Sequence, residues 1–336
     1  MGPNTVVDIH CHVMSEEAEK LAAGTFPPEM EPFAHFSGRS ADHNRNLFDR
    51  IRSMLVEPEV RLDDMDRMGI DVQAISVAPP QYFYWAEAVV GIEAARVTND
   101  RIAAIVAEHP DRFVGIGTLP LQDIDAALEE LARATSELGF RGVEICTQVN
   151  GVDLDDPRFE PFFAEVEARG LLVVVHPNGT TQGERLTDYY LINVVGMPLD
   201  STIFLARMIF GGVLQRHPSL KMCVVHGGGY AASYPARFDH AYRVRPECRE
   251  HIDQPPSAYL GRLYFDTMVY DVASLTDLVD RYGADHILLG TDYPYDMAEG
   301  DPVGLVRGLG LAPEDEAKIL GANAATLLAP QLSDVQ

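Results

Sequence analysis

The chain is poor in cysteine, tryptophan and basic residues. Its four cysteines (Cys11, Cys146, Cys223, Cys248) are spread over 336 residues and include no CxxC pair. That spacing excludes a disulfide framework, fits a reducing cytoplasm, and leaves each thiol as small buried filler. Lys and Arg number 26 against 51 Asp and Glu, a formal net charge of −25. No basic cluster interrupts that excess, so a nucleic-acid backbone would be repelled. No apolar run reaches the ~18–20 residues of a membrane span. The N-terminus passes from Met1 into the apolar stretch 6–9 without the basic and apolar regions of a secretory signal, and Val6 stands where an acylation signal needs Ser or Thr. GxGxxG, P-loop and GxSxG motifs are also missing, which removes nucleotide cofactors and serine-esterase chemistry. The reading is a cytoplasmic protein that binds neither nucleic acid nor membrane and needs no organic cofactor.

What the chain has is alternation. Short β-branched runs at 6–12, 72–77, 113–119, 142–147, 171–176, 221–226, 263–267 and 286–292 are interleaved with helical periodicity at 62–68, 87–109, 124–138, 161–169, 201–215, 233–243 and 273–281. Strands alternating with helices predict βαβ units and a parallel sheet. Eight of them predict an α/β fold of the (β/α)8 TIM-barrel type, with residues 1–336 as one domain. One irregularity stands out, the insertion 13–60 after the first strand. It is rich in Pro, Gly and charge, carries His35, His43, Arg45, Arg50 and Arg52, and reads as a lid or specificity loop.

The polar residues at the strand ends carry the chemistry. His10 and His12 lie two apart, which in a strand puts both imidazoles on one face with their Cα atoms about 6.6 Å apart, and Ile9 and Cys11 opposite. His176 ends the apolar run 171–175, His226 ends 222–225 and precedes Gly227-Gly228-Gly229, and Asp292 follows Gly290-Thr291. Singly, each has an ordinary explanation as a hydrogen-bonded histidine or a helix-capping aspartate. Together they fall at the same end of strands one, five, six and eight, which in a barrel converge on one mouth. Imidazoles with a carboxylate suit Zn²⁺, with Mn²⁺, Fe²⁺ or Co²⁺ as alternatives. Glu144 on strand four is the one candidate to bridge a second ion. It reads as lying behind the ligands or at the surface, so a single ion is predicted. The three glycines after His226 read as a close approach of backbone to metal or substrate.

His-x-His on strand one, His176-Pro177, His226-Gly227-Gly228-Gly229 and Thr291-Asp292-Tyr293-Pro294 resemble the decarboxylase branch of the amidohydrolase superfamily. The likeness runs over nearly the whole chain, including Arg61-Leu62-Asp63-Asp64-Met65-Asp66, Leu119-Pro120-Leu121-Gln122-Asp123 and Gly321-Ala322-Asn323-Ala324. It implies that His10, His12, His176 and Asp292 hold the metal and that His226 is the acid/base, with Asp292 sharing in catalysis. The implied reaction is non-oxidative decarboxylation of an unsaturated or aromatic carboxylate, such as aminocarboxymuconate semialdehyde or a hydroxybenzoate. The alternative for the same site is hydrolysis or hydration of a lactone, amide or C=C bond. The resemblance further implies that Arg50 (or Arg52 beside it) and Arg237 bind substrate carboxylate, with Arg245 nearby, and that Arg237 reaches in from the second subunit of a homodimer. One departure is the absence of an aromatic after the strand-five His-Pro: the chain reads Asn178-Gly179-Thr180, and its one tryptophan, Trp85, follows strand two. Tyr190 is the candidate to replace that contact.

Overall fold

Leu172–His176 shows how the barrel is built. All five side chains are buried, and Leu172 and Val174 join one core cluster while Val173 and Val175 join another. A strand covered on both faces has to be apolar throughout, and only its last residue is polar. Seven further strands complete the barrel, some with buried polar residues such as Asp8, Gln73 and Glu144 within them. In chain order the barrel strands are β1 Val7–Val13, β2 Val72–Val77, β3 Phe113–Gly117, β4 Gly142–Cys146, β5 Leu172–His176, β6 Lys221–Val224, β7 Tyr264–Asp266 and β8 Ile287–Leu288. Each pairs in parallel with its sequence neighbour. The segment after β8 closes the cylinder against β1 through Ile9 N–H to Leu289 O (2.9 Å), Asp292 N–H to His10 O (2.8 Å) and His12 N–H to Tyr293 O (2.8 Å). The computed structural model describes residues 5–27, 38–178 and 183–329, so His35, Gly179 and Thr180 lie outside the described residues.

The predicted (β/α)8 barrel is therefore present, with two differences. The last strand, predicted over 286–292, is continuous only at β8; the residues beyond it still bond to β1 but turn to bring Asp292 to the mouth. The insertion, read from its composition as a loop, is helical over much of its length. It holds α1 Glu16–Ala22 and α2 Gly38–Val56. Leu47, Ile51 and Leu55, spaced four apart, bury one stripe of α2 with Met14 and Ala78. Arg52 ties α2 to α1 through Glu16 (3.0 Å) and Glu19 (2.8 Å). Outside the barrel, the stretch Ile192–Phe210 is long and apolar enough by composition to cross a membrane, contrary to the sequence expectation, but half of it is buried within the protein.

One buried charge organises the first and last strands. Arg61, on the helix α3 Pro58–Met68, is 1% exposed. Its guanidinium donates to the His12 carbonyl, to Gln73 Oε1 (2.9 Å) and to Met54 O (3.3 Å), and lies 4.7 Å over the Tyr293 ring. Tyr293 in turn donates to Asp64 Oδ2 at 2.5 Å. Replacing Arg61 by methionine keeps the stem but strands these acceptors in a dry interior. The expected loss is at least ~3 kcal/mol of unfolding free energy in urea titration.

Candidate metal centre

Five polar side chains meet at the C-terminal mouth of the barrel. His10 and His12 project from β1, His176 ends β5, and His226 and Asp292 sit in turns beyond β6 and β8. The His10, His12 and His176 rings lie 4.9 to 5.2 Å apart, centroid to centroid, and His226 is 5.2 Å from His10 and 5.0 Å from His176. Asp292 Oδ1 is 3.5 Å from His10 Nε2 and 3.3 Å from His12 Nε2, while Oδ2 is 3.6 Å from His226 Nε2. His10, His176, His226 and Asp292 each offer a donor atom within 4.8 Å of the others. By mutual distance alone that group includes His226 and leaves out His12, although His12 is the nearer of the two to Asp292.

Hydrogen bonding separates the histidines where distance does not. The Nδ1 of His12 faces the Val77 carbonyl (3.1 Å), that of His176 the Pro177 carbonyl (2.7 Å), and that of His10 a carboxylate oxygen of Asp266 (2.6 Å). Those oxygens only accept, so each Nδ1 carries a proton, and in the neutral ring each Nε2 presents a lone pair. All three Nε2 atoms and Asp292 Oδ1 are buried without a partner. Four orphaned acceptors aimed at one point are unfavourable alone, and they form the donor set a divalent cation requires. His226 differs: its Nδ1 has no partner, so nothing fixes its tautomer.

Electrostatics agree with this division. Burial opposes charge on His10, but Asp292 and Asp266 outweigh it and raise its pKa to about 9. Burial, with the His12, His226 and His10 rings beside it, holds His176 well below the usual histidine range. Burial pushes Asp292 up, but the His10, His12 and His226 rings facing it win and hold it well below the usual carboxylate range. Cation uptake has to displace the His10 proton. Apparent metal affinity is therefore expected to climb with pH and level off above about 9. Chelator competition across that range reads the slope, and a flat profile contradicts it.

Local backbone strain marks the same residues. His226 (φ 55°) and Asp292 (φ 57°) both occupy the left-handed region, a cost that functional turns sustain. A side chain at Gly228 would strike the Phe265 ring, and one at Gly229 the Pro198 carbonyl. The protein's own packing thus already requires glycine at both positions, and Gly229 also lines a chamber beside His226. Asp8 anchors the neighbouring turn by accepting from Thr291 Oγ1 (2.6 Å) and Gln73 Nε2 (2.9 Å).

The remaining sequence candidates divide cleanly. Glu144 is buried, not at the surface, and its carboxylate accepts from Ser76 (2.7 Å) and Tyr82 (2.7 Å) rather than joining the donor group. Cys11 packs opposite its histidine neighbours with Ile75 and Ile102. Arg50 and Arg237 are exposed and line neither of the two chambers at His226. Arg52 is committed to Glu16 and Glu19, Arg45 to Asp42, and Arg245 to Glu247. Trp85 packs against Phe26 and Phe83. Tyr190 does line the mouth, with its hydroxyl on Asp296 Oδ1 at 2.8 Å, where His43 of the insertion also reaches (3.5 Å). Two chambers meet at His226. The inner one, about 50 Å³, is walled by Asn44, Leu47, Phe48, Met197 and Tyr295. The outer one, about 380 Å³, is walled by Met197, Tyr230, Met268, Tyr270 and Met297. Among the described residues, no Lys or Arg lines either. Sequence reasoning missed Asp266 and Tyr295. Asp266 had one signal, an acid closing the otherwise apolar run 263–265.

A parallel barrel with a histidine–carboxylate donor set at its C-terminal mouth defines a metal-dependent barrel enzyme. The amidohydrolase family model matches residues 7–329, and the chain belongs to that family. It is 34% identical to the 2-amino-3-carboxymuconate-6-semialdehyde decarboxylase of Dictyostelium discoideum, over 96% of this chain and 91% of that protein. It is 29% identical to the gamma-resorcylate decarboxylase of Rhodococcus jostii, over 83% of this chain and 90% of that protein. The crystal structure of 5-carboxyvanillate decarboxylase from Sphingomonas paucimobilis superposes with a TM-score of 0.84 at 25% identity, covering 98% of this chain and 100% of that one.

Proposed function

We propose that this enzyme, a metal-dependent carboxy-lyase, releases CO₂ without oxidation from a planar unsaturated carboxylate, either a hydroxybenzoate or an aminocarboxymuconate semialdehyde. The observation that carries the reading is the convergence of three unpartnered Nε2 atoms and Asp292 Oδ1 beside a histidine of unfixed tautomer. Relatives named as decarboxylases of resorcylate and of carboxymuconate semialdehyde support the substrate class.

His10, His12, His176 and Asp292 would hold one divalent ion, zinc or manganese, since imidazole and carboxylate donors suit both. Bound there, the ion supplies a Lewis acid that polarises substrate oxygens and offsets negative charge. His226 Nε2, beside Asp292 Oδ2, holds a proton and passes it to the ring or chain carbon bearing the carboxylate. The C–C bond to the carboxylate then breaks, CO₂ leaves, and the electron pair restores conjugation in the product. Leu47, Phe48 and Met197 exclude water from the inner chamber. Substrate carboxylate needs a counter-charge that the described lining lacks. We assign it to Arg50 or to Arg237 of a second copy, both exposed and without an ion pair to any described residue. Arg237 lies on the helix Pro235–Val244, and a guanidinium binds carboxylate bidentately. Four unpaired cysteines fit a cytoplasmic setting.

Incubating metal-replete protein with 2,6-dihydroxybenzoate and with aminocarboxymuconate semialdehyde tests the reading. The expected product from one of them is lighter by CO₂. A product that keeps its carboxylate and gains water would overturn it.

A further inference from the structure

The three histidines with fixed tautomers are not fixed alike. His12 and His176 each donate to a neutral backbone carbonyl, whereas His10 donates to the carboxylate of Asp266, which is fully buried. Asp266 ends β7, and its two oxygens have different tasks. Oδ2 takes the His10 Nδ1 proton at 2.6 Å, and Oδ1 takes the backbone N–H of Gly227 at 2.8 Å and of Met268 at 3.3 Å. Gly227 directly follows His226, so holding its N–H fixes the peptide plane on which His226 sits. That plane needs holding, because His226 has a left-handed backbone and is followed by three glycines that are left-handed as well.

We propose that Asp266 is a positioning residue that couples the two halves of the site, fixing the tautomer of the metal-holding His10 and, through Gly227, the placement of the proton-carrying His226. The inference rests on the function proposed above. A carboxylate is required because both of its ends must accept. Asparagine has one oxygen and one NH₂, and either orientation fails. With the oxygen on Gly227, the NH₂ faces His10 Nδ1 and drives the ring proton to Nε2, the atom aimed at the metal. With the oxygen on His10, the NH₂ meets the N–H groups of Gly227 and Met268 and dislodges the His226 turn. Loss of the carboxylate behind a metal-bound histidine generally costs ~10–100-fold in metal affinity.

The test is D266N on the full chain, stripped of metal and titrated with Mn²⁺ and with Zn²⁺ against a chromogenic chelator. Thermal unfolding is followed in parallel with and without the ion. Expected are a metal Kd raised ~10–100-fold, a smaller metal-induced rise in Tm, and a kcat at saturating metal lowered about tenfold with an altered pH profile. A merely structural loss would lower Tm equally with and without metal and leave Kd alone, which would overturn the proposal. An unchanged kcat and pH profile at saturating metal would overturn the His226 half. If D266N does not fold, D266E keeps the charge but displaces both oxygens, and an unchanged Kd and kcat in it would be equally contrary. Failure of the underlying reading looks different: the unsubstituted protein itself would bind neither ion, or would release no CO₂ with the ion bound.

Discussion

Replacing His226 by alanine is expected to lower kcat by ~10²–10⁴ while leaving the bound metal in place. The expectation follows from the asymmetry of the four imidazoles. His10, His12 and His176 each have Nδ1 committed to an oxygen and a bare Nε2, whereas His226 Nδ1 is unpartnered and its Nε2 faces Asp292 Oδ2 at 3.6 Å. A ring without a fixed tautomer can take up and release a proton without disturbing its neighbours, which suits an acid/base and not a ligand. Elemental analysis of the purified variant, alongside CO₂ release, separates the roles. Full activity would remove the acid/base assignment, and lost metal would move His226 into the ligand set, as its distances to His10, His176 and Asp292 alone would allow.

The second large effect is expected from His10→Ala. It deletes one of three nitrogen donors, so metal affinity should fall by more than the ~100-fold typical of losing a partner behind a ligand. A protein holding metal at 100 times its Kd gains about 2.7 kcal/mol of stability from it, and that increment should vanish. The metal-free variant should also be weaker than metal-free parent by ~1–3 kcal/mol, because Asp266 Oδ2 loses its proton donor in a dry interior. Urea unfolding with and without added Mn²⁺ reads both terms. Equal metal-induced stabilisation in parent and variant would place the ion elsewhere.

The barrel and its mouth were legible because both depend on short-range pattern. A buried parallel strand must be apolar to its last residue, so a histidine closing residues 171–175 announces itself, as does His-x-His on β1. The helical insertion was less legible, although its stripe of Leu47, Ile51 and Leu55 has helical spacing. Its abundant charge outweighed three apolar residues in a segment whose middle, 24–38, is rich in Pro and Gly. Asp266 and Arg61 lay beyond reach for another reason. Asp266 meets a histidine 256 positions away, and Arg61 is buried against the His12 carbonyl and the Tyr293 ring. No local pattern distinguishes a buried arginine from an exposed one. The proposed substrate arginines are the limiting case, because Arg50 and Arg237 are both exposed and line neither chamber of their own chain, and no local pattern says what an exposed guanidinium meets.

The most direct test of the account is CO₂ release measured against equivalents of metal added to stripped protein, with 2,6-dihydroxybenzoate and aminocarboxymuconate semialdehyde as substrates. The account predicts no release without metal, a linear rise to a plateau at about one equivalent, and loss of activity on chelation. Release that persists in stripped, chelated protein, or no release from either acid with one equivalent of metal demonstrably bound, would contradict it.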